Sequence, residues 1–229
     1  PRKVQLDSLD MVARYNHYFE QWKNDKLNVA KTDSLREIIW TYAHHLRRYG
    51  QPQALAFLDQ VAIETSGQIE LQAGIGYTRA DVLNRPGTNH EVLAHNRALV
   101  LHAIKVIPEW QERAYMLLSQ IYANAIATTH HAYPKSFKRS DLTAADRLMF
   151  NLVINYLERA IAVQKSGAYK TGFSSIKHYN QLIDQFYTFQ FTKTDLEAMG
   201  LQPGQRVLID MHPYEWVQDT TTIRPSPSN

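Results

Sequence analysis

Apolar positions recur along most of this chain with a period near 3.6 residues, so the elements they predict are helices. From about Ser8 to Asn24, Met11, Tyr15, Tyr18, Phe19 and Trp22 share one face. A second helix, about Ser34 to Tyr49, carries Leu35, Ile38, Ile39, Tyr42 and Leu46; Ser34-x-x-Glu37 reads as its capping box and Gly50 as its stop. Pro52 suits the first turn of a third helix bearing Leu55, Leu58, Val61 and Ala62, which pairs antiparallel with the second. A glycine-interrupted helix over Ile69 to Leu83 ends before the turn signal Pro86-Gly87. Two stronger helices, about His90 to Val106 and Trp110 to Thr128, are divided by Pro108. Thr143-x-x-Asp146 predicts a capping box for a long helix reaching about Gln164, with Leu148, Leu152, Val153, Tyr156, Leu157 and Ala160 buried. A further helix is expected from about Phe173 to Phe189.

Beyond that point the pattern changes. Asp195 to Met199 predicts one helical turn, and Gly200 and Pro203-Gly204 break the helical period. Gln205 to Met211 and the threonine-rich stretch Trp216 to Arg224 predict two short strands. The expected organisation is a helical domain over 1–190 and a C-terminal segment, 191–229, with short strands and a frayed tail. An isolated hairpin is marginal in water, so the strands are expected to cap the last helices against Leu182, Ile183 and Phe186.

Composition narrows the classes. With 229 residues, 44% apolar and 21% charged, the chain can bury a substantial core as an ordinary globular protein. The net charge of +3 comes from acids and bases that alternate, so no basic stripe for nucleic acid stands out; Lys135, Lys138 and Arg139 read as a solvated loop. No apolar run approaches the roughly 18 residues that a membrane-spanning helix needs. The absence of cysteine removes disulfides, thiolate metal sites and cysteine nucleophiles together. The start at Pro1, without methionine or signal peptide, reads as a processed protein or a piece of a longer one.

Helical pairs spaced at roughly 34 residues raise the tetratricopeptide pattern: a bulky residue, leucine, a small residue and tyrosine on the first helix, alanine and a closing proline on the second. Tyr115, Leu118, Ser119 and Tyr122 follow that order. Tyr42, Ala43, Leu46 and Gly50 echo it, as do Gly74 and Tyr77. Ala103 with Pro108, and Leu157 with Ala160, supply second helices. The expected fold is therefore all-α, a tetratricopeptide-like solenoid of helical pairs stacked into a right-handed array, with a small C-terminal β hairpin.

The end of the chain adds a resemblance. Asn180-Gln181-Leu182-Ile183, Phe191-Thr192-Lys193, Leu201-x-Pro203-Gly204-Gln205-x-Val207 and Trp216-Val217-Gln218-Asp219-Thr220-Thr221-Thr222-Ile223-Arg224 together resemble the ending shared by a family of Bacteroidetes tetratricopeptide proteins. In that family a Phe-Pro-Thr-Lys step and a Gly-rich turn lead to a closing Trp-Ile-x-Glu-Thr-Thr-Thr-Val-Arg strand. Here the proline is missing and Asp219 replaces the glutamate. The resemblance covers about the last 50 residues and implies a cap made of Trp216, Asp219, Thr220, Thr221, Thr222 and Arg224. It also implies a periplasmic or outer-membrane-associated scaffold, of the kind that serves secretion or motility; a cytoplasmic location stays open.

Candidate chemistry is sparse. The ten histidines include His44-His45, His130-His131 and the pair His95 and His102. Adjacent histidines on a helix point about 100° apart, and no His-Glu-x-x-His is present, so they are read as surface or partly packed rings and no metal is expected. Gly74-Ile75-Gly76-Tyr77 lacks the third glycine and the lysine of a phosphate loop, and no serine sits in a Gly-x-Ser-x-Gly elbow. No cofactor and no catalysis are expected. In the repeat register the concave positions are Trp40, His44 and Arg48, then Arg79, then Arg113, Gln120 and Asn124. That set suits an extended peptide or complex subunit, gripped through carbonyls and acidic groups with Trp40 as anchor. It equally suits a solvated inner face. The expected class is a non-catalytic protein-interaction scaffold; the competing class is an accessory helical domain of a larger enzyme, and an RNA-binding repeat would need its basic residues gathered on one face.

Overall fold

A computed structural model of the chain describes residues 2–130, 142–169, 173–190, 193–198 and 200. Among these residues every regular element is helical: α1 (Arg2–Lys23), α2 (Val29–Arg47), α3 (Gln51–Glu64), α4 (Ile69–Leu83), α5 (His90–Val106), α6 (Gln111–Thr129), α7 (Ala144–Ser166), α8 (Ile176–Gln190) and the short α9 (Lys193–Ala198), with a 3-10 turn over Pro108–Trp110. The all-α class holds for what is described. The two expected strands and the cap residues Trp216, Asp219, Thr220, Thr221, Thr222 and Arg224 lie outside the described residues, as do His131, Lys135, Lys138 and Arg139.

The chain divides into two compact units. One is built on the residues up to Leu83 together with Lys105–Ile107; the other is built on Asn84–Ile104 and the described residues from Pro108 onward.

In the first unit α2 is central and packs against α1, α3 and α4, while α3 also packs against α4. The stripes read from the sequence meet here. Met11, Tyr15 and Trp22 of α1, Leu35, Ile38, Ile39 and Ala43 of α2, Leu58 and Val61 of α3, and Leu71, Ile75 and Val82 of α4 form one buried cluster. Tyr18, Phe19, Tyr42, Leu46, Leu55 and Ala62 close its margin, half-buried. The Tyr15 ring is the aromatic hub, edge-on to Phe57 at 5.1 Å and 5.6 Å from Phe19.

Helix starts needed correction. α2 begins at Val29, not at Ser34: the Asn28 side chain accepts the Lys31 N–H at 3.2 Å, while the Ser34 hydroxyl donates to the Ala30 carbonyl at 2.8 Å from inside the helix. Asparagine caps as well as serine, and an internal serine falls back on the carbonyl four residues earlier, so the upstream cap prevails. Likewise Ser8 lies within α1, and α8 starts at Ile176 rather than Phe173, with the Ser175 hydroxyl accepting the His178 N–H at 3.1 Å.

The second unit follows its sequence signals more closely. α6 packs against α7, and α7 against α8. The box at Thr143 is reciprocal: Asp146 N–H donates to Thr143 Oγ1 at 3.1 Å and Thr143 N–H to Asp146 Oδ2 at 2.8 Å. Burial pushes the Asp146 carboxyl up, but the hydrogen bonds from Thr143 and the His130 ring 2.9 Å away outweigh it and hold the group below the usual carboxylate range. Gly167 ends α7 with φ 64°, a left-handed conformation that a Cβ would strain. Ala103, Leu118, Leu157 and Ala160 are fully buried, and Ser119 is buried with its hydroxyl donated to the Met116 carbonyl at 2.7 Å. Tyr115 and Tyr122 both stack on Tyr156, with centroids 6.0 and 5.8 Å away.

The tyrosine excess has a consequence for pH. Burial pushes the hydroxyls of Tyr15, Tyr122, Tyr156 and Tyr179 above the ordinary tyrosine range, and the carboxylates of Glu64 and Glu112 push Tyr15 and Tyr179 the same way. The folded state thus favours the neutral phenols. Their contribution is complete below the unfolded pKa of about 10 and is lost as the pH rises above it. Base unfolding is expected to be cooperative, with tyrosinate absorbance and loss of helical circular dichroism rising together. Complete tyrosinate absorbance with the helical signal intact would contradict this burial.

Candidate functional site

Positions 40, 44 and 48 of the chain lie four apart and so share one face of α2 and its C-terminal cap. The structure places Trp40, His44 and Arg48 along one cleft. What fixes the first two is a carboxylate on α4: the Trp40 indole N–H donates to Asp81 Oδ2 at 3.1 Å, and His44 Nε2 lies 2.9 Å from the same oxygen. A carboxylate only accepts, so His44 carries its proton on Nε2. Arg47 adds a bond from Nη1 to the Asp81 carbonyl at 3.3 Å. The Trp40 and His44 rings sit 4.8 Å apart, so the aromatic pair is held in place from α4.

Beside this pair lies an open cleft of about 440 Å³, lined by Asp10 and Met11 of α1 and by Trp40, Thr41, His44, His45 and Arg48. A second cleft of about 330 Å³ is lined by Arg14 and Tyr18 of α1 and by Asp33, Ser34, Glu37, Ile38 and Thr41. Thr41 borders both. As α1 advances from Asp10 to Tyr18, the lining of α2 retreats from Arg48 to Asp33, so the two clefts are successive parts of one trough along the antiparallel α1–α2 seam. One end carries His44, His45 and Arg48 at the C-terminus of α2, where the helix dipole favours cations. The other end carries Asp33 and Glu37 with Arg14 opposite.

The remaining candidates are placed differently. Arg79 is hydrogen-bonded to Asp59 of α3. Arg113, Gln120 and Asn124 belong to the other unit. There the Arg113 guanidinium lies 4.7 Å from the Trp110 ring centroid and 5.7 Å from that of Phe173, Asn124 donates to Asn84 Oδ1 at 2.8 Å, and Gln120 is exposed. Among the described residues no three His, Asp or Glu side chains gather as metal ligands. His44 and His130 instead face single carboxylates, and His17 faces Gln21 at 3.0 Å.

Sequence reading missed Asp81, Asp10 and Met11. Asp81 lies 37 residues beyond His44, on α4, and a separation of that size leaves no mark in the pattern of a single helix. Nor does anything mark Asp10 and Met11, because the contribution of α1 to the trough depends on helix pairing.

No family model matches this sequence, and comparison with curated proteins and with solved structures likewise finds no match.

Proposed function

We propose that this chain is a non-catalytic protein-interaction scaffold of tetratricopeptide type that holds an extended peptide segment of a partner protein in the α1–α2 trough. The observation that carries this reading is the anchoring of Trp40 and His44 on Asp81 beside an open cleft. A side chain already fixed loses little entropy on contact, and aromatic anchors of this kind dominate peptide interfaces. The trough runs along two helices, is lined by aromatic, apolar and charged groups, and differs in charge between its ends, so it suits an extended chain with acidic groups over His45 and Arg48.

The repeat reading draws support from the packing of the first unit. α2 and α3 behave as a helical pair, and α4, the first helix of the next, touches both. A β-hairpin cap at the end of the chain, and a periplasmic or outer-membrane-associated role in a secretion- or motility-type assembly, rest on the resemblance of residues 180–224. The alternative is an accessory helical domain attached to a catalytic part elsewhere in a longer chain.

Trp40→Ala is expected to weaken capture of the partner by roughly 2 kcal/mol, about thirtyfold, and Arg48→Ala by less, because a desolvated anchor outweighs a rim charge. Circular dichroism should show both variants folded, since both side chains lie outside the buried cluster. Equal yields from wild type and both variants in a quantitative pull-down would count against the trough.

A further inference from the structure

Arg97, on α5, is 5% exposed, and its guanidinium has one hydrogen-bond partner among the described residues: Nη1 donates to the Tyr122 hydroxyl of α6 at 3.5 Å. Among the described residues its Nε is buried with no acceptor, and no carboxylate pairs with it. Asn96, the preceding residue, is fully buried, and neither atom of its amide has a partner among the described residues. Two adjacent buried polar side chains with unmet donors are unusual, since buried polar groups are nearly always bonded.

The charge cannot be removed by deprotonation, because arginine stays ionised throughout the range in which proteins fold. Nor do its neighbours neutralise it. Burial pushes the hydroxyls of Tyr122 and of Tyr156, stacked 5.8 Å away, upward, so both stay neutral. With Nη1 committed to Tyr122, the opposite edge of the guanidinium presents Nε–H and Nη2–H as parallel donors. That fork matches the two oxygens of a carboxylate or of a phosphate.

We propose that Arg97 anchors an oxyanion site in the second unit, in which its Nε–Nη2 edge takes a carboxylate or phosphate group of a ligand and Tyr122 holds the guanidinium in position. This site shares no residue with the α1–α2 trough and stands or falls separately from it.

The test is thermal unfolding of the full chain at fixed ionic strength in sodium phosphate, sodium acetate or sodium glutarate, against sodium chloride. An anion at ten times its Kd multiplies the folded-to-unfolded ratio about elevenfold. A rise in melting temperature with phosphate alone identifies a phosphate-bearing ligand, and one with acetate or glutarate identifies a carboxylate. In either case Arg97→Gln should abolish the rise, and Tyr122→Phe should reduce it. The Arg97 Nε–H resonance of the wild type, followed during the same titrations, gives a readout that does not depend on how well the variants fold, and it should shift. No anion-specific stabilisation of the wild type, an equal rise in Arg97→Gln, or an Arg97 resonance that stays fixed would each overturn the site.

Discussion

Trp22→Ala is expected to destabilise the first unit by about 3–5 kcal/mol, the range for removing a large aromatic side chain from a core that cannot fully collapse. Trp22 is 1% exposed near the end of α1 and belongs to the cluster that joins α1 to α2, α3 and α4. Its loss opens a cavity in that cluster. The indole N–H is itself buried without an acceptor among the described residues. Trp22→Phe therefore removes an unmet donor while keeping most of the ring, and should cost clearly less than its lost area implies. Urea unfolding followed by circular dichroism gives both values. A Trp22→Ala midpoint within the range of a surface substitution, about 0.5 kcal/mol, would show that the α1 stripe does not pack as described.

The second large effect is expected at Glu112. This buried carboxylate at the start of α6 accepts the Tyr179 hydroxyl of α8 at 2.8 Å, the Ser174 N–H at 3.3 Å and the Gln164 side-chain N–H of α7 at 3.5 Å. It thereby ties three helices through one oxygen. Glu112→Ala leaves the buried Tyr179 hydroxyl without its acceptor and releases the half-exposed Ser174 N–H, while the Gln164 side chain keeps the Ser174 carbonyl at 2.8 Å, and the loss should be about 3 kcal/mol. Glu112→Gln keeps a carbonyl oxygen in place and should cost less. Tyr179→Phe removes one donor together with its need, and should cost least. A cost for Glu112→Gln equal to that for Glu112→Ala would mean that charge rather than hydrogen-bond acceptance holds the junction.

Much of the helical order was legible in the chain because periodicity and caps agree there. Thr143 with Asp146, Pro52 in the first turn of α3 and the stripe of α7 each combine a local signal with a burial pattern, and each stands as read. Leu148 is the exception in that stripe, left half-exposed. Ser34 misled because its side chain could meet a carbonyl within the helix as easily as cap an end, and Asn28 had the stronger position. The site was half legible. Trp40, His44 and Arg48 share a face by helical arithmetic alone, but the carboxylate that fixes two of them sits on α4, 37 residues beyond His44, and the α1 wall depends on packing. Arg79 was assigned to the groove from its position, yet its charge found Asp59 on the neighbouring helix, a pairing that no single-helix pattern displays.

The most direct test of a peptide-binding trough follows the Trp40 indole N–H by nuclear magnetic resonance, assigned through its loss in Trp40→Phe. The full chain is titrated with extended peptides that carry an acidic run beside an apolar residue, and with uncharged peptides of equal length. Trp40 lines the cleft while Trp22 and Trp110 are buried in the cores. Binding in the trough predicts that the Trp40 resonance shifts with the acidic peptides and those of Trp22 and Trp110 stay in place, with the shift abolished in Trp40→Ala and reduced in Arg48→Ala. A Trp40 resonance that stays fixed at saturating peptide would contradict the trough as the site where this chain holds its partner.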